Sequence, residues 1–143
     1  MQVRQATERD VADIVRMSRA FYATTTYRGY ADFNEDTVRR LAETLVADHV
    51  MLVAENDGAV VGMVGLFVVP FLFNSDHRMA HEVVWYVDPD AQGAGAGKAL
   101  LAAIEPACRA KGATGIFMIH LSNSPPQAAI VMITHLSSGP DCR

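Results

Sequence analysis

The chain has 143 residues, half of them hydrophobic and 20% charged, with 10 Gly, 6 Pro, 2 Cys and a net charge of −4. That length suits one domain spanning residues 1–143 with a sizeable core, and the apolar content argues against disorder. The acidic balance, without a Lys/Arg cluster, excludes duplex binding as a leading role, and two Cys are too few for a disulfide framework or a metal-type spacing.

Residues 2–6 read as a short extended segment. Thr7 can cap a helix in which Val11, Ile14, Val15, Ser18, Phe21 and Tyr22 recur at three- and four-residue steps. The run Thr24-Thr25-Thr26-Tyr27-Arg28-Gly29 ends it, because β-branched residues and Gly disfavour helix. Asn34 caps a second helix whose buried stripe is Val38, Leu41, Leu45 and Val46. Strands are expected at 50–55 and 59–69, joined by Asn56-Asp57-Gly58, a tight hairpin turn. Residues 79–87 form a further strand rich in Val, Trp and Tyr. A glycine-rich turn at 92–97 then enters a helix carrying Leu100, Leu101, Ile104 and Cys108, which ends near Lys111-Gly112. Residues 114–121 read as another apolar strand, 125–136 as a last helix opened by Pro, and 137–143 as a short irregular tail.

The expected order is β-α-α-β-β-β-α-β-α. Antiparallel strands followed by one βαβ crossover make an α/β (α+β) fold: a mixed, mostly antiparallel sheet flanked by helices. The longest apolar stretch, 59–73, is interrupted by Gly62, Gly65 and Pro70, too short for a span of about 20 residues. The N-terminus has no apolar run behind its positive charge. The expectation is therefore a cytoplasmic protein that does not engage a membrane.

The stretch from Val87 to Leu101 carries the chemistry. It sets Gln92, Gly93, Ala94, Gly95, Ala96, Gly97 and Lys98 between a strand end and a helix start. Backbone N–H groups there lack intrahelical partners and sit at the positive end of the helix dipole, which suits a pyrophosphate. The nucleoside-triphosphate loop requires Gly where Gln92 stands and Ser or Thr where Ala99 stands. The dinucleotide fingerprint fails at its third glycine, where Lys98 stands. A tight turn with close helix packing is the plainer alternative, but three glycines and a Gln at one helix start exceed what a turn requires.

The pattern that fits is Gln92-x-x-Gly95-x-Gly97, preceded by Val87-Asp88-Pro89 and followed by the Leu100-Leu101 helix. This resembles the acyl-coenzyme A loop of the GNAT family of N-acetyltransferases, and the likeness extends over most of the chain. The resemblance implies acetyl transfer from acetyl-coenzyme A to a primary amine by direct attack in a ternary complex, without a metal. It implies that the amides of 93–98 hold the pyrophosphate and that Trp85, Tyr86 and Val87 pair their backbone with the pantetheine arm. Asn123 resembles a coenzyme-contacting Asn of the family, although Pro125-Pro126-Gln127 lengthens the spacing.

Glu82 is the candidate base: on an apolar strand, burial would raise its pKa. A surface carboxylate or a partner for Arg78 is the alternative. His81 neighbours it on the opposite face of a regular strand, and His77 and His120 rank below. The family's last-helix tyrosine, an acid for the thiolate, corresponds here to Ile133, so the acid must come from solvent, His135 or Tyr86, or the chain is a coenzyme-binding or interaction module without turnover. The family's usual C-terminal hairpin finds no room after Leu136. An open apolar edge at 115–119 would then call for a second copy of the chain, giving a homodimer, or mark a truncated chain. For the amine acceptor, small molecule or peptide, the candidates are Phe21, Tyr22, Tyr27, Arg28, Tyr30, Asp32 and Phe33, with Phe71, Phe73, Asp76 and His77.

Overall fold

The computed structural model describes residues 1–120 and 130–135. One six-stranded sheet runs in sequence order, with β1 at Gln2–Gln5, β2 at Val50–Asn56, β3 at Ala59–Phe71, β4 at Asn74–Val87, β5 at Gly115–His120 and β6 at Ile130–His135. Every neighbouring pair is antiparallel except β4 and β5, which α3 (Ala96–Ala110) links as a crossover. α1 (Val11–Ala23) and α2 (Glu35–Asp48) connect β1 to β2.

Apolar periodicity builds both faces. Val50, Leu52 and Ala54 of β2 and Val64, Leu66 and Val68 of β3 pack against Ala96, Leu100, Ile104 and Cys108 of α3. The intervening Met51, Val53 and Met63 pack against Ile14, Val15 and Met17 of α1 and Ala42 and Leu45 of α2. With helices on both sides, 50–54 is buried throughout, which explains its unbroken apolar run. Asn34 caps α2 by accepting from the Thr37 amide at 2.9 Å. Asp57 and Gly58 both take positive φ, as a two-residue hairpin turn demands.

Three expectations change. β3 runs on through Pro70 to Phe71 and β4 begins at Asn74, so the hairpin is longer than its apolar pattern. Thr7 opens a 3-10 turn at Glu8–Asp10, and Asp10 stands at the start of α1. The last helix is replaced by a strand: residues 130–135 pair antiparallel with all of β5, from Gly115↔His135 to His120↔Ile130. The β-branched run Ile130-Val131-Met132-Ile133-Thr134 favours extended backbone, and the open edge of β5 supplies the ladder it needs. That edge is thus covered by the same chain, which removes the reason for expecting a second copy there.

Arg4 ties β1 to its surroundings. Its guanidinium donates to Asp10 at 2.7 and 2.8 Å and to Glu55 of β2 at 3.0 Å. The Asp10 carboxyl, almost fully buried, also accepts from the Thr7 amide at 2.7 Å. Arg4 holds that carboxyl down to about 2. A carboxyl depressed below its unfolded value of about 3.9 stabilises the fold above that value and loses this contribution as pH falls toward the folded value. Arg4→Met should lower the unfolding free energy near neutral pH by about 3 kcal/mol, since it strands a buried carboxylate. Denaturant titrations should show the gap to wild type closing between about pH 4 and pH 2.

Candidate functional site

β4 ends at Val87, a 3-10 turn covers Pro89–Ala91, and α3 starts at Ala96. Gly93 and Gly95 between them have φ of 88° and 92°. A Cβ at either would meet nothing within 4 Å, so these glycines serve the backbone path, and the space before the loop is open. Buried Ala91, Ala96 and Leu100 anchor the loop to the core. The Ala99 amide closes the first helical turn on the Gly95 carbonyl at 2.9 Å, and the Ala94 amide donates to the Ala91 carbonyl at 3.2 Å. Among the described residues, the amides of Gly93, Gly95, Ala96, Gly97 and Lys98 reach no backbone carbonyl. These donors, the helix dipole and the exposed Lys98 make the start of α3 electropositive.

The neighbouring strand is open along one side. β4 pairs with β5 only from Met79↔Gly115 to His81↔Phe117, while β5 continues to His120 against β6. From Val83 onward, the β5-facing side of β4 carries no pair with β5 among the described residues. β4 also bulges: Gly65 pairs with Val84 and Leu66 with Glu82, leaving Val83 as the extra residue. Gly65 permits this, because a Cβ there would lie 3.0 Å from Met51 Sδ, 3.2 Å from Leu45 Cδ1 and 3.3 Å from Val84 Cγ1.

Alternation then assigns the backbone groups. The Asp88 amide donates to the Val61 carbonyl of β3 at 2.8 Å. In an antiparallel ladder this turns the amide and carbonyl of Tyr86 toward β3 and those of Trp85 and Val87 toward the open side. Gln92 Nε2 donates to the Val87 carbonyl at 3.2 Å, which locks the loop to the strand end.

The bulge also sorts side chains. Glu82 lies opposite Leu66 on the α3 face, half-buried, whereas His81 lies opposite Phe67 on the α1/α2 face with its ring centroid 5.5 Å from that of Phe117. Val83 and Val84 both pack toward α1 and α2, where they floor a cavity of about 430 Å³. Phe21, Tyr22, Asp32 and Phe33 line the same cavity. Tyr86 packs its ring edge-on against Phe21 at 6.4 Å, and burial, with Asp88 beside it, raises its phenol above the usual value and keeps it protonated. Arg16 of α1 holds the end of β4 by donating to Asp88 at 3.2 Å and to the Val60 carbonyl at 3.1 Å.

Most sequence-chosen residues thus gather at the end of β4 and the start of α3. Glu82 does not share a face with the cavity. Tyr27 and Tyr30 are exposed, Arg28 donates to the Ala23 carbonyl at 3.2 Å, and Phe71 and Phe73 meet edge-to-face at the β3–β4 tip. His77 reaches Thr114 Oγ1 at 3.3 Å. Asn123 lies outside the described residues. The bulge at Val83 was not anticipated; Gly65 inside an apolar strand was its available signal. Gly65→Val should cost about 1–3 kcal/mol in urea unfolding, since the new methyls must displace three packed side chains.

Residues 14–131 match the model of the acetyltransferase (GNAT) family. A search of curated proteins finds no match. Among solved structures, a GNAT family acetyltransferase of Brucella melitensis in complex with acetyl-CoA is similar at 22% identity and a TM-score of 0.67, over 99% of this chain and 90% of that one. A ribosomal-protein-alanine N-acetyltransferase of the same organism is similar at 23% identity and a TM-score of 0.68, over 83% and 74%. An aminoglycoside acetyltransferase from an uncultured soil metagenomic sample is similar at 21% identity and a TM-score of 0.63, over 87% and 81%. Among the described residues, no helix is long and apolar enough to cross a membrane, and no three His, Cys, Asp or Glu cluster as metal ligands would.

Proposed function

The chain belongs to the acetyltransferase (GNAT) family, and from that membership we propose that it moves an acetyl group from acetyl-coenzyme A to a primary amine by direct attack in a ternary complex. One observation carries the reading: among the described residues, the amides of Gly93, Gly95, Ala96, Gly97 and Lys98 reach no backbone carbonyl, and they lie beside the end of β4, which is not paired with β5.

The coenzyme supplies an activated thioester, and the chain supplies position and charge. The amides of 93–98 take the pyrophosphate. The outward Trp85 backbone and the Val87 amide take the pantetheine arm as an added strand. Gln92 already occupies the Val87 carbonyl, and Tyr86 contributes its ring and not its backbone. Asn123 is a further coenzyme contact by family resemblance. The nitrogen–carbon bond forms as the carbon–sulfur bond breaks; the amine gives up one proton and the thiolate takes one.

Glu82, next to the Val83 bulge and opposite Leu66, takes the amine's proton directly or through water. His81 is the rival acceptor, because it occupies the cavity's face of the sheet. The thiolate takes its proton from solvent, His135 or Tyr86, whose phenol stays protonated. A second reading, coenzyme binding without turnover, rests on Ile133, which the sequence resemblance aligns with the family's last-helix tyrosine and which stands here in the strand β6.

Gly97 has a helical setting and room for a side chain, its Cβ meeting only Val87 Cγ2 at 3.9 Å. Gly97→Asp should therefore fold as well as wild type, since an acid in the first helical turn is favourable. Calorimetry should show acetyl-coenzyme A affinity reduced by about 100-fold or more, from like charge against the pyrophosphate. Unchanged affinity would place the phosphates elsewhere. Free-thiol release separates the two readings of turnover, and pH–rate profiles of Glu82→Gln and His81→Gln identify the base: the true one loses its acid limb.

A further inference from the structure

The cavity between α1 and α2 has a chemical character narrower than "amine". Among the described residues its only titratable lining groups are Tyr22 and Asp32. The Tyr22 hydroxyl spends its one proton on the Tyr27 carbonyl at 2.9 Å and the Ala31 carbonyl, so toward a ligand it can only accept, and its ring supplies apolar surface. The depth is apolar: Ile14, Ala42 and Leu45 are each 2% exposed. Phe33 at the mouth is braced by the Arg19 guanidinium 4.6 Å over its ring and by the Tyr22 ring at 5.7 Å. Asp32 stands exposed at the rim.

Resting on the transferase reading, we propose that the acceptor is a primary monoamine on a short linker to an apolar or aromatic group. That group fills the cavity and brings the nitrogen to the bulge at Val83. A polyamine or a multiply charged sugar would set further ammonium groups against apolar walls, where a charge without a partner is disfavoured. One ammonium meets the Asp32 carboxylate at the rim, then loses its proton beside Val83 and Val84, where an apolar floor disfavours the charged form. The volume of about 430 Å³ is that of a small-molecule site, which typically spans about 300–1,000 Å³.

The experiment titrates 2-phenylethylamine, phenylalaninamide, a Phe-initiated tripeptide, ethanolamine and spermidine into the protein saturated with coenzyme A, and assays thiol release from acetyl-coenzyme A with each. The apolar amines should bind, and show kcat/KM about 100-fold or more above ethanolamine, given the worth of each buried methylene. The phenylethylamine and tripeptide arms distinguish a free amine from a chain N-terminus. Ser18→Phe, which fills the cavity, should abolish the preference while acetyl-coenzyme A affinity stays. Asp32→Asn at the exposed rim should raise KM about fivefold with kcat unchanged. Turnover that favours ethanolamine or spermidine overturns the proposal and leaves the transferase standing. Coenzyme binding with no amine bound or acetylated overturns both.

Discussion

One extra residue in one strand organises this molecule. Val83 has no partner on β3, so β4 changes face at that point and bends away from its course. Before the bulge, β4 holds β5 through three residue pairs; after it, no pair with β5 follows among the described residues. The same irregularity turns two consecutive valines toward α1 and α2, and the Trp85 backbone and Val87 amide that face away from β3 meet no strand among the described residues. Cavity and open edge are two consequences of a single insertion. It is tolerated because Gly65, opposite, has no Cβ to collide with Leu45, Met51 and Val84.

The glycine-rich loop before α3 depends on a different balance. Five amides without carbonyl partners are a local liability, stable only where solvent or an anion reaches them. The fold meets this by burying what lies immediately around them. Ala96 and Leu100 are sealed in the α3 core and Ala91 closes the preceding turn, while Gly93, Ala94 and Gly95 stay exposed. Small residues do this without covering the donors. Gln92 adds a tether to the strand end, so loop and open edge keep a fixed relation before anything binds.

Two arginines fix the frame in which these parts sit. Arg4 joins β1, the turn before α1, and β2 through Asp10 and Glu55. Arg16 joins α1 to the end of β4 through Asp88 and to β3 through the Val60 carbonyl. The first surrounds an almost fully buried carboxylate, where a missing partner is expensive. The second is half-exposed, and its worth lies in geometry, since it holds α1 and hence one wall of the cavity against the strand that ends at the glycine-rich loop.

The family, the mixed sheet and the glycine-rich turn into α3 were legible from residues alone, because each rests on local pattern. Asp57-Gly58 demands a hairpin, Asn34 caps its helix, and Gln92-x-x-Gly95-x-Gly97 opens a helix after a strand. Residues 130–135 misled for the same reason: their apolar run fits either helix or strand by periodicity, and pairing with β5 decided it. Glu82 was chosen for its burial on an apolar strand, but which face it occupies depends on where the register slips. Only the folded sheet places Asp32, Phe33, Phe21 and Val83 around one cavity, because they come from three distant segments that share no sequence period. Local backbone chemistry was therefore written in the chain, whereas the side of the sheet on which each side chain acts was set by strand pairing, a long-range contact that no short stretch encodes.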